Sequence, residues 1–288
     1  MPELPEVETL RRDLLSVVCG RRITAVTLVE PLVVKHPDPG DFVRGLTGQT
    51  IDDVERHAKY LQLHLRSGSS WVVHLMLEGQ FFYQPSGTAL ASDIKLVVQL
   101  DDGHQLVLRD VVGLARTFLV TEEELDTVLK FDALGPEPLE PGFTYACFLS
   151  RLHRRTGMIK PLLLDQKVIA GIGNVYADEA LFRARLHPKR KANTLTESEL
   201  KRLYASIREV LQEGVQHRGT SATRGLYRDI WGQKGHYQDR LAVFRRQGKA
   251  CTGCQGNVEQ IQVGGRATFI CPSCQVEAVP SAAGARGR

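Results

Sequence analysis

Residues 1–14 read MPELPEVETLRRDL, which places three glutamates and two prolines at the start of a chain with formal net charge +4. Pro5 suits the first turn of a helix. Apolar residues then recur at spacings of three and four, at Val7, Leu10, Leu14 and Val18. We therefore predict a helix over residues 5–18. Glu6 and Glu8 fall in its first turn, where the helix dipole favours anions, and this is the simplest explanation of the acidic start.

The composition is that of a globular chain long enough for two domains. The chain has 288 residues, 42% of them hydrophobic. No run approaches the roughly 18 uninterrupted apolar residues that indicate a transmembrane helix, so no membrane partner is expected. The acidic N-terminus lacks the apolar segment of a secretory signal, so we expect a cytoplasmic protein. In that reducing setting the six cysteines are not expected to form disulfides.

The net charge conceals an asymmetry along the chain. Residues 1–142 contain 13 Lys+Arg and 22 Asp+Glu, a net charge of −9. Residues 143–288 contain 24 and 11, a net charge of +13. A basic half joined to an acidic half suggests that the basic half binds a polyanion such as nucleic acid. The alternative is an ordinary solvated charged surface.

Residues 21–120 show the alternation of apolar and polar side chains that is typical of strands. In YLQLHLR (60–66) every second residue is leucine. Further candidate strands are RRITAVTLVE (21–30), SWVVHLMLEGQFFY (70–83), KLVVQL (95–100) and QLVLR (105–109). Asp102-Gly103 suits the hairpin turn between the last two. Because we find no helical pattern between these strands, we predict an antiparallel β-sandwich behind the N-terminal helix.

A proline- and glycine-rich break, GPEPLEPG at 135–142, precedes a helical region. One helix is predicted over VYADEALFRARL (175–186), entered through GIGN. A second begins at a capping box of Thr196 and Glu199. Its predicted buried stripe is Leu200, Leu203, Ile207, Val210 and Leu211.

These patterns predict an α+β multidomain protein. Its predicted parts are a β-sandwich domain (1–134), a linker (135–144), a helical domain (145–235), a C-terminal region that contains four cysteines (236–277) and a disordered basic tail (278–288).

Four of the six cysteines form two Cys-x-x-Cys pairs that are 16 residues apart. They are Cys251, Cys254, Cys271 and Cys274. This spacing is typical of a structural zinc site, because each pair aims two thiolates at one point and two pairs complete a tetrahedron. Two redox-active dithiols are the alternative. Cys19 and Cys147 stand apart, and we expect both to be small buried apolar residues. Arg266 follows Gly264-Gly265 at the predicted tip of the finger hairpin, where an arginine is placed to bind phosphate.

Several motifs together resemble the bacterial formamidopyrimidine-DNA glycosylases and their endonuclease VIII relatives. They are MPELPEVE (1–8), RHAKY (56–60), HLMLEG (74–79), LGPEPL (134–139), GIGNVYADEALF (171–182) and RATFICPSC (266–274). The resemblance runs from residue 1 to about residue 275, in the order of the family. It implies that the helical domain (145–235) is a DNA-binding domain with a helix–two-turns–helix element beginning at GIGN. It also implies that residues 236–277 form a β-hairpin zinc finger with one structural Zn²⁺. It also implies a monomeric base excision repair enzyme that acts on damaged double-stranded DNA.

The resemblance also implies the chemistry of the N-terminus. Removal of the initiator methionine exposes Pro2 as a secondary amine, which can form an iminium with a sugar carbon. Glu3 matches the general acid of the family, and Glu6 matches a carboxylate that orients the amine. Lys59 matches the catalytic lysine that contacts the flanking phosphate. The expected reaction is removal of an oxidised base followed by β- or β,δ-elimination at the strand.

The remaining matches imply DNA contacts. These positions are His74, Leu77, Arg155, Lys160, Asn174, Tyr176 and Arg266, of which Arg266 also serves the catalytic site. Two rival functions stay open at this point. One is a non-catalytic protein that binds damaged DNA on the same fold, and the other is an N-terminal-proline enzyme acting on small molecules.

The chain departs from the family at one loop. The family carries an Arg-Arg-Phe-Gly-type loop near residues 110–116 that fills the gap left by the flipped nucleotide, whereas this chain reads RDVVGLARTF (109–118). The nearest arginine, Arg116, is displaced, and Leu77 stands where the family inserts a methionine. We therefore expect apolar wedging to be retained, with Leu114 as a second wedge, and reading of the opposite base to be lost.

Overall fold

The structure, a computed structural model, describes residues 1–222 and 225–277. The predicted basic tail (278–288) lies outside the described residues. The chain forms two compact units. The first unit contains Met1–Leu134 and Leu211–Arg240, and the second contains Gly135–Val210 and the chain from Leu241 onward. The chain passes from the second unit to the first inside one long helix.

The first unit contains most of the strands. Its helices are α1 (Leu4–Val18), α2 (Pro39–Leu46) and a single turn, α3 (Glu122–Glu124). Its strands are β1 (Ile23–Leu28), β2 (Val34–His36), β3 (Ile51–His57), β4 (Tyr60–Leu65), β5 (Ser70–His74), β6 (Gln80–Pro85), β7 (Ile94–Leu100), β8 (His104–Arg109) and β9 (Arg116–Val120). A π-helical turn covers Leu125–Leu129, and 3-10 turns cover Pro31–Val33, Phe131–Ala133 and Tyr237–Arg240.

These strands form two sheets, in the orders β1-β7-β8-β6 and β2-β9-β5-β4-β3. Apolar side chains from both sheets and from α1 share one buried core. The predicted β-sandwich with an N-terminal helix is therefore confirmed. The predicted hairpin is also present, since β7 and β8 pair antiparallel across the Asp102-Gly103 turn.

Two details of the β region were predicted wrongly. β2 pairs with β9 in the parallel direction, so the sandwich is not wholly antiparallel. A helix, α2, interrupts the strands. Pro39 occupies its first turn, and Phe42 and Leu46, four residues apart on one face, are fully buried. This eight-residue helix presents only two apolar anchors, too few to stand out as a helical period.

Helix α1 confirms the prediction for residues 5–18 within one residue at its start. Val7, Leu10 and Leu14 are all buried, as the spacing indicates. The helix starts in a capping box, because the Glu3 N–H donates to Glu6 Oε2 at 2.8 Å. Cys19 follows the last helical residue and is exposed, and Cys147 is half-buried, so neither is the buried apolar residue we expected.

The second unit is helical and ends in a hairpin. Its helices are α4 (Tyr145–Leu152), α5 (Ile159–Leu164), α6 (Asn174–Arg183) and the first part of α7 (Glu197–Gln216), with a 3-10 turn at Ala192–Thr194. Its strands β10 (Glu259–Val263) and β11 (Arg266–Ile270) pair antiparallel. Helix α6 ends three residues earlier than predicted, and Arg185 just beyond it adopts a left-handed φ of 56°.

The predicted capping box of α7 is present, since the Thr196 N–H donates to Glu199 Oε2 at 2.8 Å. The predicted apolar stripe of α7 is buried. However, the chain from Leu211 to Arg240 belongs to the first unit, whereas we predicted one helical domain over 145–235. Tyr227 and Ile230 pack into the core of the sandwich, which explains the assignment. Within the part of the chain that the structure describes, no helix is long and apolar enough to cross a bilayer.

Candidate active site and metal centre

The N-terminal carboxylates are buried and held in place. Glu3 and Glu6 are each 2% exposed. Glu6 Oε2 accepts from the Glu3 N–H, and its other oxygen, Oε1, accepts from the Thr220 N–H at 2.7 Å. Gly219 has a φ of +76°, and a Cβ there would lie 2.8 Å from Glu6 Oε1. A glycine is therefore required where the backbone approaches this carboxylate so closely.

The amino terminus lies among these charges. Burial lowers the pKa of the Met1 amine and Lys59 lowers it further, while Glu3, Glu6 and Glu78 raise it. A lowered pKa increases the neutral, nucleophilic fraction of an amine near pH 7. The amine borders a small cavity, which is lined by Met1, Pro2, Leu77, Glu78, Gly79, Thr220, Leu226 and Tyr227. In this position a chain without Met1 would present the secondary amine of Pro2.

Lys59 occupies the tight turn between β3 and β4. The residue before it, Ala58, adopts a left-handed φ of 53°. Lys59 is only 7% exposed, and its charge lowers the pKa of both the Met1 amine and His74. The structure thus brings Pro2, Glu3, Glu6 and Lys59 together in the first unit.

His74 ends β5 beside Lys59. Its Nδ1 accepts from the Met76 N–H at 3.1 Å. Burial, together with the charges of Lys59 and Arg116, lowers the pKa of His74 to about 3. The ring is therefore neutral at pH 7, and with Nδ1 accepting, the proton resides on Nε2. A neutral imidazole fixed in this tautomer can donate one hydrogen bond to an anion.

The divergent loop between β8 and β9 is held from within by Asp110, which is 1% exposed. Its carboxylate accepts three backbone N–H groups, from Val112 at 3.0 Å and from Leu114 and Ala115 at 2.6 Å each. The loop nevertheless exposes apolar side chains. Val111, Val112 and Leu114 are 63%, 45% and 40% exposed, and Leu77, which lies between β5 and β6, is 48% exposed. Exposed apolar side chains suit a wedge, the role predicted for Leu77 and Leu114.

The structure places the side chains of two predicted DNA contacts in the interior of the second unit. Lys160 is 0% exposed, and its Nζ lies 2.7 Å from Asp178 Oδ1 and donates to Thr268 Oγ1 at 2.7 Å. Tyr176 is 1% exposed. Neither side chain reaches the surface where a phosphate could bind. Lys160 instead joins α5 to α6 and to the finger hairpin, a role that a motif match alone does not reveal.

The other predicted contacts of the second unit lie nearer to solvent. Asn174 opens α6 and is half-buried, and its Nδ2 donates to the Ala267 carbonyl at 2.9 Å. Arg155 donates to the Arg151 carbonyl at 2.8 Å. Arg266 is exposed and pairs with Val263 directly across the hairpin turn. The turn residues, Gly264 and Gly265, have φ of 57° and 75°, which places Arg266 on a rigid tip.

The four paired cysteines converge as the spacing predicts. Their sulfur atoms all lie within 4.8 Å of one another. Cys251 Sγ is 3.9 Å from Cys274 Sγ, and Cys254 Sγ is 3.5 Å from Cys271 Sγ. A tetrahedral ion with metal–sulfur bonds of about 2.3 Å requires sulfur separations of about 3.8 Å, so the geometry fits a metal. The N–H groups of Gly253 and Gly256 each donate to a cysteine sulfur at 3.3 Å, which favours the thiolate.

Two contributors to the site were not predicted from the sequence. Glu78 acts on the amine electrostatically, although it lies in a motif that we quoted. Thr220 binds Glu6 across 214 residues of sequence. Short-range periodicity carries no signal for a contact of this kind.

Family models match two parts of the chain. The formamidopyrimidine-DNA glycosylase N-terminal domain matches residues 1–117. The formamidopyrimidine-DNA glycosylase H2TH domain matches residues 134–225.

Curated relatives match nearly the full length. The formamidopyrimidine-DNA glycosylase of Pelotomaculum thermopropionicum is 42% identical over 275 residues, which is 96% of this chain and 99% of that protein. The protein of the same name from Symbiobacterium thermophilum is also 42% identical, over 96% of this chain and 89% of its own.

Solved structures agree with this assignment. The wild-type Lactococcus lactis Fpg (MutM) in complex with DNA containing N7-benzyl-Fapy-dG is 32% identical, with a TM-score of 0.89 over 96% of this chain and 100% of that one. A complex of the same enzyme with DNA containing an abasic site has a TM-score of 0.87, at 32% identity, over 95% of this chain and 99% of that one. The fold and the cysteine cluster agree with these likenesses, and the chain belongs to the formamidopyrimidine-DNA glycosylase family of DNA N-glycosylases with AP lyase activity.

Proposed function

We propose that this DNA glycosylase and AP lyase of base excision repair uses the amine of Pro2 as its nucleophile, with Glu3 as general acid and Glu6 as the carboxylate that orients the amine. The observation that carries the proposal is the buried N-terminus, where Glu3, Glu6 and Lys59 all act on one amine. A protein that merely bound damaged DNA would have no need of carboxylates desolvated around its own N-terminus.

The reaction balances with these groups. The neutral Pro2 nitrogen attacks C1′ of the damaged nucleotide, and the bond from C1′ to the base breaks. The base leaves with the bond pair and takes up the proton that the nitrogen loses. Glu3 donates a proton to the ring oxygen, so the sugar opens and the secondary amine becomes an iminium. The iminium acidifies the C2′ proton, and its removal expels the 3′ phosphate by β-elimination. A second elimination releases the 5′ phosphate.

Glu6 has a distinct role from Glu3. Both of its oxygens already accept backbone N–H groups, from Glu3 and Thr220. A carboxylate fixed in this way does not swing to deliver a proton, but its negative charge stabilises a cation that develops on the neighbouring nitrogen. Glu3 is thus the better proton donor and Glu6 the better electrostatic partner.

Lys59 and His74 hold the phosphates that flank the damaged nucleotide. The ammonium of Lys59 supplies charge, and the neutral imidazole of His74 supplies one N–H from Nε2. The target nucleotide leaves the base stack, because C1′ cannot be reached inside a duplex. Leu77 and Leu114 occupy the space that it vacates.

The basic half of the chain binds the DNA backbone. Residues 143–288 carry a net charge of +13. Within this region Arg155, Asn174 and Arg266 are the side chains that we assign to phosphates, and the relatives solved with damaged DNA support this substrate class. We do not assign the buried Lys160 and Tyr176 to phosphates.

Zinc is the metal that best fits the four cysteines. Cys251, Cys254, Cys271 and Cys274 supply four thiolates, the donor set of a closed structural site. When bound, the ion supplies folding energy to the finger hairpin and leaves no open position for a reacting water. We also infer that the enzyme acts as a monomer in the cytoplasm, on double-stranded DNA.

The test is a panel of duplexes that each carry one oxidised base or an abasic site, scored separately for base release and for strand nicking. We expect both activities on at least one oxidised base and nicking at the abasic site. Tight binding to these duplexes without release or nicking would show a damage-binding protein instead. A variant with an extra residue retained before Pro2 serves as the control, because its residue 2 nitrogen is an unreactive amide.

A further inference from the structure

Glu8 is the one glutamate of the acidic N-terminus that the proposed chemistry does not use. It faces inward on α1 and is 7% exposed. Its oxygens accept from Arg11 at 2.8 and 3.0 Å, from Arg12 at 2.7 Å and from Arg56 at 3.1 Å. A helix-end carboxylate that served only the dipole would stay in solvent, so the burial of Glu8 among three arginines requires another reason.

Arg56 connects Glu8 to the turn that carries Lys59. Its side chain is 3% exposed, and its Nε donates to Glu8 Oε2. Another nitrogen of the same guanidinium, Nη1, donates to the Ala58 carbonyl at 3.1 Å. One planar group therefore binds the N-terminal helix on one side and the residue before Lys59 on the other.

The turn needs such support, because its backbone is strained. Ala58 has a left-handed φ of 53° and is 2% exposed. For a residue other than glycine this conformation is unfavourable, and it persists where the surroundings enforce it. The bond from Arg56 to the Ala58 carbonyl fixes the peptide that links Ala58 to Lys59.

We propose that Glu8 and Arg56 are positioning residues, which hold the β3–β4 turn against α1 so that the Lys59 ammonium faces the N-terminal amine. The inference rests on the proposed catalytic role of Lys59. Neither Glu8 nor Arg56 reacts with DNA in this scheme. Both act through the placement of Lys59, and loss of either lowers the rate of the chemical steps more than the affinity for DNA.

Arginine is required at position 56 because the two bonds diverge from one guanidinium. A lysine keeps the positive charge but concentrates its donors on a single nitrogen, so it cannot reach both Glu8 and the Ala58 carbonyl in the same geometry. Arg56→Lys thus separates the positioning effect from the effect of charge. Glu8→Gln removes the charge of the anchor while preserving its shape.

The experiment measures single-turnover excision and borohydride trapping at saturating enzyme, together with the Kd for a duplex containing an abasic analogue. For Arg56→Lys we expect the rate to fall by roughly ten- to a hundredfold, the size expected from about 1 Å of misplacement. The Kd should change by less than about threefold. Glu8→Gln should slow the same step by a smaller factor.

Arg66→Lys is the matched control. Arg66 pairs with Asp52 at 2.8 Å at the opposite end of the same hairpin, and its side chain is 67% exposed. The same chemical substitution there should leave rate and Kd unchanged. Thermal unfolding of every variant shows which of them retain the fold. If Arg56→Lys unfolds at the assay temperature, Glu8→Gln carries the test.

A double-mutant cycle with Lys59→Ala decides between positioning and an independent role. If Arg56 acts through Lys59, then Arg56→Lys has no further effect on the residual rate of Lys59→Ala. The inference is overturned if the rate losses of the two single variants multiply in the double variant. It is also overturned if Arg56→Lys and Glu8→Gln have normal rates while Lys59→Ala is slow. Both results leave the proposed function standing. A normal rate for Lys59→Ala would overturn the proposed role of Lys59, and this inference with it.

Discussion

Replacing Lys160 by methionine should destabilise the second unit strongly without weakening a direct DNA contact. The ammonium and the Asp178 carboxylate are both fully buried, and their charged atoms are 2.7 Å apart. The variant leaves the Asp178 carboxylate in the interior without its cation. Breaking a buried pair by removal of one partner costs about 3–5 kcal/mol. For a domain of this size that loss lowers the unfolding temperature by roughly 10 °C.

Asp178 provides the internal control for this prediction. Its other contact is the Phe269 N–H, which donates to Oδ2 at 3.0 Å. Asparagine can still accept that bond and carries no charge. The double variant Lys160→Met/Asp178→Asn should therefore regain most of the stability lost by Lys160→Met, whereas Lys191→Met, on an exposed lysine of the same unit, should lose almost none.

The assay is urea unfolding followed by circular dichroism, with hydrogen exchange of the Phe269 amide as a local probe of the finger hairpin. Lys160→Met should raise that exchange rate at least tenfold. The reasoning is refuted if Lys160→Met unfolds like the parent but binds duplex DNA more weakly, with a salt dependence reduced by about one phosphate contact. That result would restore Lys160 as the phosphate ligand that the family resemblance implied.

Four further outcomes are expected. Metal analysis should give one zinc per chain, and a value well under one would contradict the zinc site. Cys254→Ser should unfold the finger and weaken DNA binding while the sandwich stays folded. Arg266→Ala should reduce both DNA affinity and turnover. The affinity of the parent enzyme should fall steeply as the salt concentration rises, because phosphate contacts release counterions. An affinity independent of salt would contradict the proposed phosphate contacts. The rate of lesion excision should depend little on the base opposite the lesion. Residues 111–115 offer no side-chain hydrogen-bond donor, and Asp110 already accepts three of their backbone N–H groups. A preference above about tenfold, or 1.4 kcal/mol, would show that a side chain such as Arg116 still recognises the opposite base. Burial by itself raises the pKa of Glu8, but hydrogen bonds from the arginines outweigh burial and lower that pKa to about 2. The ionised Glu8 carboxylate therefore stabilises the fold above pH 4.5, and this stabilisation is lost as the pH falls toward 2. The parent should thus lose about 2 kcal/mol more than Glu8→Gln between pH 6 and pH 3, measured by urea unfolding; equal losses would rule out the paired carboxylate.

Features governed by nearby residues could be predicted from the sequence. The apolar spacing of α1, the Asp102-Gly103 hairpin and the Thr196 capping box each depend on contacts within a few positions. The cysteine cluster is likewise set by two short turns of fixed spacing. In all these cases one local rule points to one structure, and the folded chain agrees with it.

Features governed by distant contacts could not be predicted. Thr220 binds Glu6 across 214 residues of sequence, and Tyr227 and Ile230 join the core of the sandwich although helices precede them. Lys160 matches a position that the family uses to hold phosphate, but its burial depends on Asp178 and Thr268, which no local pattern connects to it. The short helix α2 lacked the length that makes a period visible.

We assign the nitrogen of residue 2 as the nucleophile, and mapping the covalent adduct identifies the nitrogen that reacts. The enzyme is mixed with a lesion-bearing duplex, reduced with borohydride and digested, and the cross-linked peptide is sequenced by mass spectrometry. We expect a chain that begins at Pro2, with the sugar remnant on its N-terminal nitrogen, and no adduct when an N-terminal extension acylates that proline. An adduct on any lysine side chain, or trapping that survives the extension, would show that another group is the nucleophile.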